Sequence, residues 1–162
     1  MRRSKSGFFV LVFASVLLAT FFSIYPIPET LASLRPELMC LLVIYFITSY
    51  PQNFGIVFGW AVGLLLDVFE GGVWGAHALA LTLIAYICIG AHQRIKNYSI
   101  WHQTLWMFVL VGIHQVIVNW VQGLAGYETD TVFLVLSAAL SALLWPPLFL
   151  VLTRIRLHYR LA

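Results

Sequence analysis

The chain has 162 residues, of which 62% are hydrophobic and 9% charged, with a formal net charge of +3 and a mean hydropathy of +0.94. Soluble domains carry roughly 45–50% apolar and about 25% charged residues, so composition excludes a soluble enzyme or nucleic-acid module and implies an integral membrane protein. At roughly 17–25 residues per crossing, the length holds one bundle of about six helices and leaves no room for a second domain, so residues 1–162 read as a single transmembrane unit.

The chain opens with MRRSKSG, followed by an apolar run over 8–25. A basic start is the mark of a signal peptide, but the run is long for an h-region, so a retained first span is expected. Pro26 and Pro28, which have no N–H to donate, end it. Arg35-Pro36 then reads as a helix start, because proline costs little in a first turn. The second run, 38–50, is short. Even from Pro36 it would reach only about 22 Å against roughly 30 Å of hydrocarbon. It must lie in thinned membrane, lean on neighbours or be partly re-entrant. Pro51-Gln52-Asn53 makes a turn into the third run, 54–69.

Glu70 to Gly75, reading EGGVWG, is a glycine-rich breaker. The fourth run, 76–91, leads into His92, Arg94, Lys96 and Asn97, which have the composition of a wet, basic loop. The fifth, 104–121, carries His114, Gln115 and Asn119. After a polar turn with Glu128 and Asp130, the sixth runs over 132–152 with Pro146-Pro147 in its last third. Six spans put Arg2, Arg3, Lys5, Arg94, Lys96, Arg154, Arg156 and Arg160 on one side. Arg35 and all the acids (Glu29, Glu37, Asp67, Glu70, Glu128 and Asp130) fall on the other. By the positive-inside rule both termini are cytoplasmic. A re-entrant second and third pair would preserve this topology. Most Trp and Tyr fall near span ends, but Trp60 and Trp145 do not, and either helix interfaces or lipid would suit them.

Within the third run, Gly55, Gly59, Gly63 and Asp67 recur every four residues, which gives a helix one smooth stripe ending in a carboxylate. In a membrane, close van der Waals approach drives helix association, so the stripe should pack on protein, either another helix of this chain or a separate partner. Asp67 suits two roles: N-terminal capping or bonding in the Gly71 to Ala76 turn, or a polar contact with a partner. Pro146-Pro147 should kink or widen the last helix. Cys40 and Cys88 are expected near opposite ends of their spans, too far apart for a bridge. His77, His114 and Asn119 form a candidate polar pocket, although Asp67 and His77 are expected near the outer face and His114 deeper. No HExxH, CxxC, nucleophile elbow, phosphate loop or paired catalytic carboxylates are present, so no metal, cofactor, nucleic acid or enzymatic role is expected.

Three stretches together carry a resemblance: Leu34-Arg35-Pro36 before a Leu-rich span, Gly59-x3-Gly63-x3-Asp67 followed after a short gap by Gly75, and Leu144-Trp145-Pro146 before a basic tail. In these and in overall hydropathy the chain resembles the MreD family of bacterial rod shape-determining membrane proteins, and Pro147 is a modest departure. The resemblance implies a non-enzymatic scaffold of the elongation complex in the inner membrane, associated with MreC, MreB, RodA and its partner transpeptidase. It also implies a fold similar to the substrate-binding membrane subunits of energy-coupling-factor transporters. On this reading Arg35, Pro36, Gly59, Gly63, Asp67, Gly71, Gly75, Trp145 and Pro146 are partner-binding or structural positions, with the outer ends of spans one to four docking MreC. The competing reading is a small-molecule binding or transport subunit, favoured by an outward cavity lined by Arg35, Asp67, His77 and Asn119.

Overall fold

The computed structural model describes residues 5–24, 35–127 and 131–158. Pro26, Pro28, Glu29, Glu128, Asp130, Arg2, Arg3 and Arg160 lie outside the described residues. Each apolar run forms one helix: α1 Lys5–Ile24, α2 Leu38–Ser49, α3 Ile56–Glu70, α4 Ala76–Asn97, α5 Ile100–Leu124 and α6 Thr131–His158. Three segments are long and apolar enough to cross a membrane: Ala76–Asn97, Ile100–Leu124 and Val132–Leu157. Helices are what a hydrocarbon environment demands, since every backbone polar group must be satisfied within the segment.

Several helices run further than their apolar stretches. Residues 92–97, expected as a solvated loop, are the last turns of α4. Arg94 and Lys96 lie in its final turn, where the negative end of the helix dipole favours cations, so the basic residues extend the helix instead of ending it. Only Tyr98 and Ser99 separate α4 from α5. Likewise α6 passes through Pro146 and Pro147 and continues to His158. The prolines each remove one internal hydrogen bond without stopping the helix.

The short second run is explained by its place in the bundle. α2 touches all five other helices, and ten of its twelve residues, Met39 to Thr48, are buried. At about 18 Å it is too short to cross hydrocarbon alone, but it is encased in protein, so bilayer thickness does not constrain it. The remaining helices follow one another around it in the order α1, α3, α4, α5, α6. Among the described residues no Cα of α1 comes within 8 Å of a Cα of α6, so the two do not pack backbone to backbone.

The chain reaches α2 through non-helical, partly exposed backbone at 35–37, held against α6. The Glu37 N–H donates to Ser141 Oγ at 2.8 Å, and Ser137 Oγ donates to the Arg35 carbonyl. Ser141 is ten residues into α6, roughly 15 Å along its axis. Irregular backbone survives at such depth only where protein or a wet cavity satisfies it, and here two serines one helical turn apart do so. Cys40, in the first turn of α2, and Cys88 are both buried and free.

Trp60 and Trp145 separate in environment. Trp60 is half-exposed on α3, whereas Trp145 is 1% exposed. The Trp145 Nε1–H donates to Gln103 Oε1 at 3.2 Å, and Gln103 Nε2 donates to the Tyr98 carbonyl at 3.0 Å. This pair ties α6 to the start of α5. Trp145→Phe should cost about 1–3 kcal/mol, because it leaves a buried amide oxygen unpaired and loses ring volume, readable as a lowered thermal midpoint in detergent. An unchanged midpoint would mean that the hydrogen bond has no structural role.

Candidate functional site

The site begins with the closest approach of two helices. A Cβ built on Gly63 would lie 2.4 Å from the Ala78 Cα and 2.6 Å from both the Ala78 nitrogen and the His77 carbonyl oxygen. One built on Gly59 would lie 2.7 Å from the Leu81 carbonyl oxygen and 2.8 Å from the Ala85 Cβ. The glycine stripe of α3 is therefore filled by the backbone of α4 in the same chain. Gly55, which shares the spacing, has nothing within 4 Å.

That approach puts the Asp67 carboxylate, 2% exposed, against the start of α4. The first turn of any helix leaves N–H groups without partners, and the N-cap of α4 is Gly75, which has no side chain to accept them. Asp67 supplies the cap from the neighbouring helix. One oxygen accepts the His77 N–H at 2.9 Å and lies 3.1 Å from His77 Nδ1; the other accepts the Gly75 N–H at 3.0 Å and the Ala78 N–H at 3.1 Å. The helix dipole reinforces a negative charge at this position. The intervening turn needs glycine at both ends, with φ +66° at Gly71 and +95° at Gly75, and it exposes Trp74.

His77 extends the network. Its Nε2 lies 3.2 Å from Glu70 Oε2, and Glu70 Oε1 accepts a hydrogen bond from Ser23 Oγ of α1 at 2.8 Å. Arg35 Nη1 donates to the Ser23 carbonyl. α1, the 35–37 segment, α3 and α4 are thus linked through polar groups at one end of the bundle.

Beside this junction opens a cavity of about 610 Å³, bounded by α1, α3, α5, α6 and residues 35–39. Its polar lining includes Arg35, Glu37, Glu70, His77, Gln115 and Asn119. Asp67 is not part of the lining; it lies behind His77. Pro36 lines the cavity, while Trp145 and Pro146 lie toward the opposite end of α6.

His77 and His114, expected at different depths, lie side by side. The His114 ring centroid is 5.8 Å from that of His77, and its Nδ1 is 4.0 Å from Glu37 Oε2. The reason is that α4 begins well below the end of α5: His77 stands in the first turn of α4, whereas α5 continues ten residues past His114. The imidazole is fully buried and neither nitrogen has a hydrogen-bond partner among the described residues. A buried polar group without partners destabilises, so His114→Leu should leave the thermal midpoint unchanged or raise it, by about 1–3 kcal/mol at most. A fall of that size would show that the ring is bonded to something in the membrane-embedded protein.

Glu37, Glu70, Ser23, Ser137, Gln115 and Gln122 also belong to this end of the bundle, and the sequence reading gave them no role. Gln115, Asn119 and Gln122 had a readable signal, because spacing of four and then three puts them on one helix face. Ser23 and Glu37 had none, since their partners are distant in sequence.

Comparison with known proteins agrees over the whole length. The family described as rod shape-determining protein MreD matches residues 3–155. A curated relative, the rod shape-determining protein MreD of Haemophilus influenzae, is 29% identical over 159 residues, covering 96% of this chain and 91% of the relative. No solved structure matches the chain.

Proposed function

The chain belongs to the MreD family of rod shape-determining proteins, and from that premise we propose that it is a non-enzymatic membrane scaffold of the rod elongation complex. It docks MreC and couples the cytoskeletal MreB to RodA and its partner transpeptidase. All six helices are set in the bacterial inner membrane as one bundle, resembling the substrate-binding subunits of energy-coupling-factor transporters, with both chain ends in the cytoplasm and the Asp67 end facing out.

The observation that carries the reading is the capped junction. Two glycines, a buried carboxylate and two positive-φ turn residues hold the 71–75 turn, with Trp74 exposed, between two residues that line a polar cavity, Glu70 and His77. A docking surface benefits from such rigidity, because a preformed site loses little conformational freedom on binding. Asp67 is enclosed, so its part in docking is to position the turn, whereas the surface offered to MreC is the turn itself with Arg35, Pro36 and the cavity rim.

A second reading has its own observation: Arg35, His77 and Asn119 do line one cavity, of a size within the roughly 300–1,000 Å³ usual for small-ligand sites. Pull-down from native membranes in mild detergent separates the two. Recovery of MreC and RodA supports the scaffold. Recovery of an ATPase module with no MreC overturns it in favour of transport.

A further inference from the structure

The wall that α5 contributes to the cavity is three carboxamides and one valine, Val118. Gln115, Asn119 and Gln122 all line it. The seven-residue step between the first and last rises about 10.5 Å along the helix, the length of about three residues of extended chain at roughly 3.3 Å each. Asn119 and Gln122 form no side-chain hydrogen bond among the described residues. Gln115 spends its Nε2 on Ser137 Oγ, 2.8 Å away, and leaves its Oε1 buried without a partner. A carboxamide carries an N–H donor and a carbonyl acceptor, the same pair that a peptide group offers.

Resting on the docking reading above, we propose that the cavity holds a short extended segment of the docked partner by its main chain, bonded along the Gln115–Asn119–Gln122 row. An extended segment has unpaired N–H and C=O groups to give, whereas a helix has already used its own and a lipid tail has none. The α1–α6 side of the cavity fits such a ligand. Phe22 on α1 and Phe133 on α6 line the cavity from two helices whose Cα atoms stay more than 8 Å apart among the described residues, a seam by which a segment continuous with a membrane-spanning helix would enter from the side. Apolar side chains of the segment would lie against these rings while its backbone faces the amides.

The test uses the full chain in nanodiscs and fluorescent peptides copying the partner's residues next to its membrane span, each peptide N-methylated at one amide in turn. N-methylation should weaken binding about fivefold at alternate positions and little between them, and Asn119→Leu and Gln122→Met should each weaken the unmodified peptide by a similar factor. Both variants should melt as the parent does, because neither amide has a hydrogen-bond partner among the described residues. Binding indifferent to N-methylation but sensitive to peptide side chains would overturn the proposal, as would a small polar molecule found in the cavity in the peptide's place. Peptides that fail to bind while full-length partner still co-purifies would overturn it and leave docking intact. If the partner fails to co-purify as well, docking itself falls.

Discussion

Gly63→Ala is expected to be among the most damaging single substitutions in the chain, lowering stability by about 3 kcal/mol and with it the amount of folded protein in the membrane. Overpacking a core ordinarily costs about 1–3 kcal/mol, and the low values belong to sites where a neighbouring side chain can turn aside. No such relief exists here, because all three contacts under 3 Å are with the backbone of His77 and Ala78. The helices must separate, and the same displacement draws Asp67 away from the N–H groups it caps. Gly59→Ala should be milder, since one of its close contacts is a methyl group, and Gly55→Ala should lie within about 0.5 kcal/mol of the parent. Thermal unfolding of the three variants in one detergent gives the order directly; equal effects at 55 and 63 would mean that the stripe does not act through close approach.

This graded result also marks what the sequence made readable. A period of four identified a smooth face ending in a carboxylate but did not distinguish Gly55 from Gly63, because the contact depends on where α4 starts and at what angle it crosses. Six helices followed from apolar runs, and their ends did not: Arg94 and Lys96 look like loop residues until the dipole at the end of α4 is counted. The brevity of the 38–50 run was visible, and its cause was not. α2 is a buried axis with ten of twelve residues enclosed, and the serines that hold 35–37 against α6 lie about 100 positions away in sequence. His114 shows the same limit. Its depth was inferred from its position within its own run, but its proximity to His77 depends on how far α5 extends past the start of α4.

Asp67→Ala tests whether the cap is what holds the 71–75 turn proposed as the docking surface. It removes the acceptor for three backbone N–H groups and leaves His77 Nδ1 without its carboxylate, with the His77 and Ala78 donors buried. Stranding buried donors that had been paired with a charge costs about 3–5 kcal/mol, or roughly 6–20 °C in thermal midpoint at about 2–4 °C per kcal/mol for a chain of this size. Asp67→Asn should fall between parent and alanine, because one oxygen remains to accept while the new NH2 group opposes the donors on the other side. Association with MreC then separates two roles for the carboxylate. If Asp67 acts by positioning, co-purification should decline in step with thermal stability across Asp, Asn and Ala and return when the experiment is run well below each variant's midpoint. If Asp67 bonded the partner itself, Asp67→Asn would lose association at every temperature while still folding. With the side chain 2% exposed and four donors gathered around it, the first pattern is the expected one.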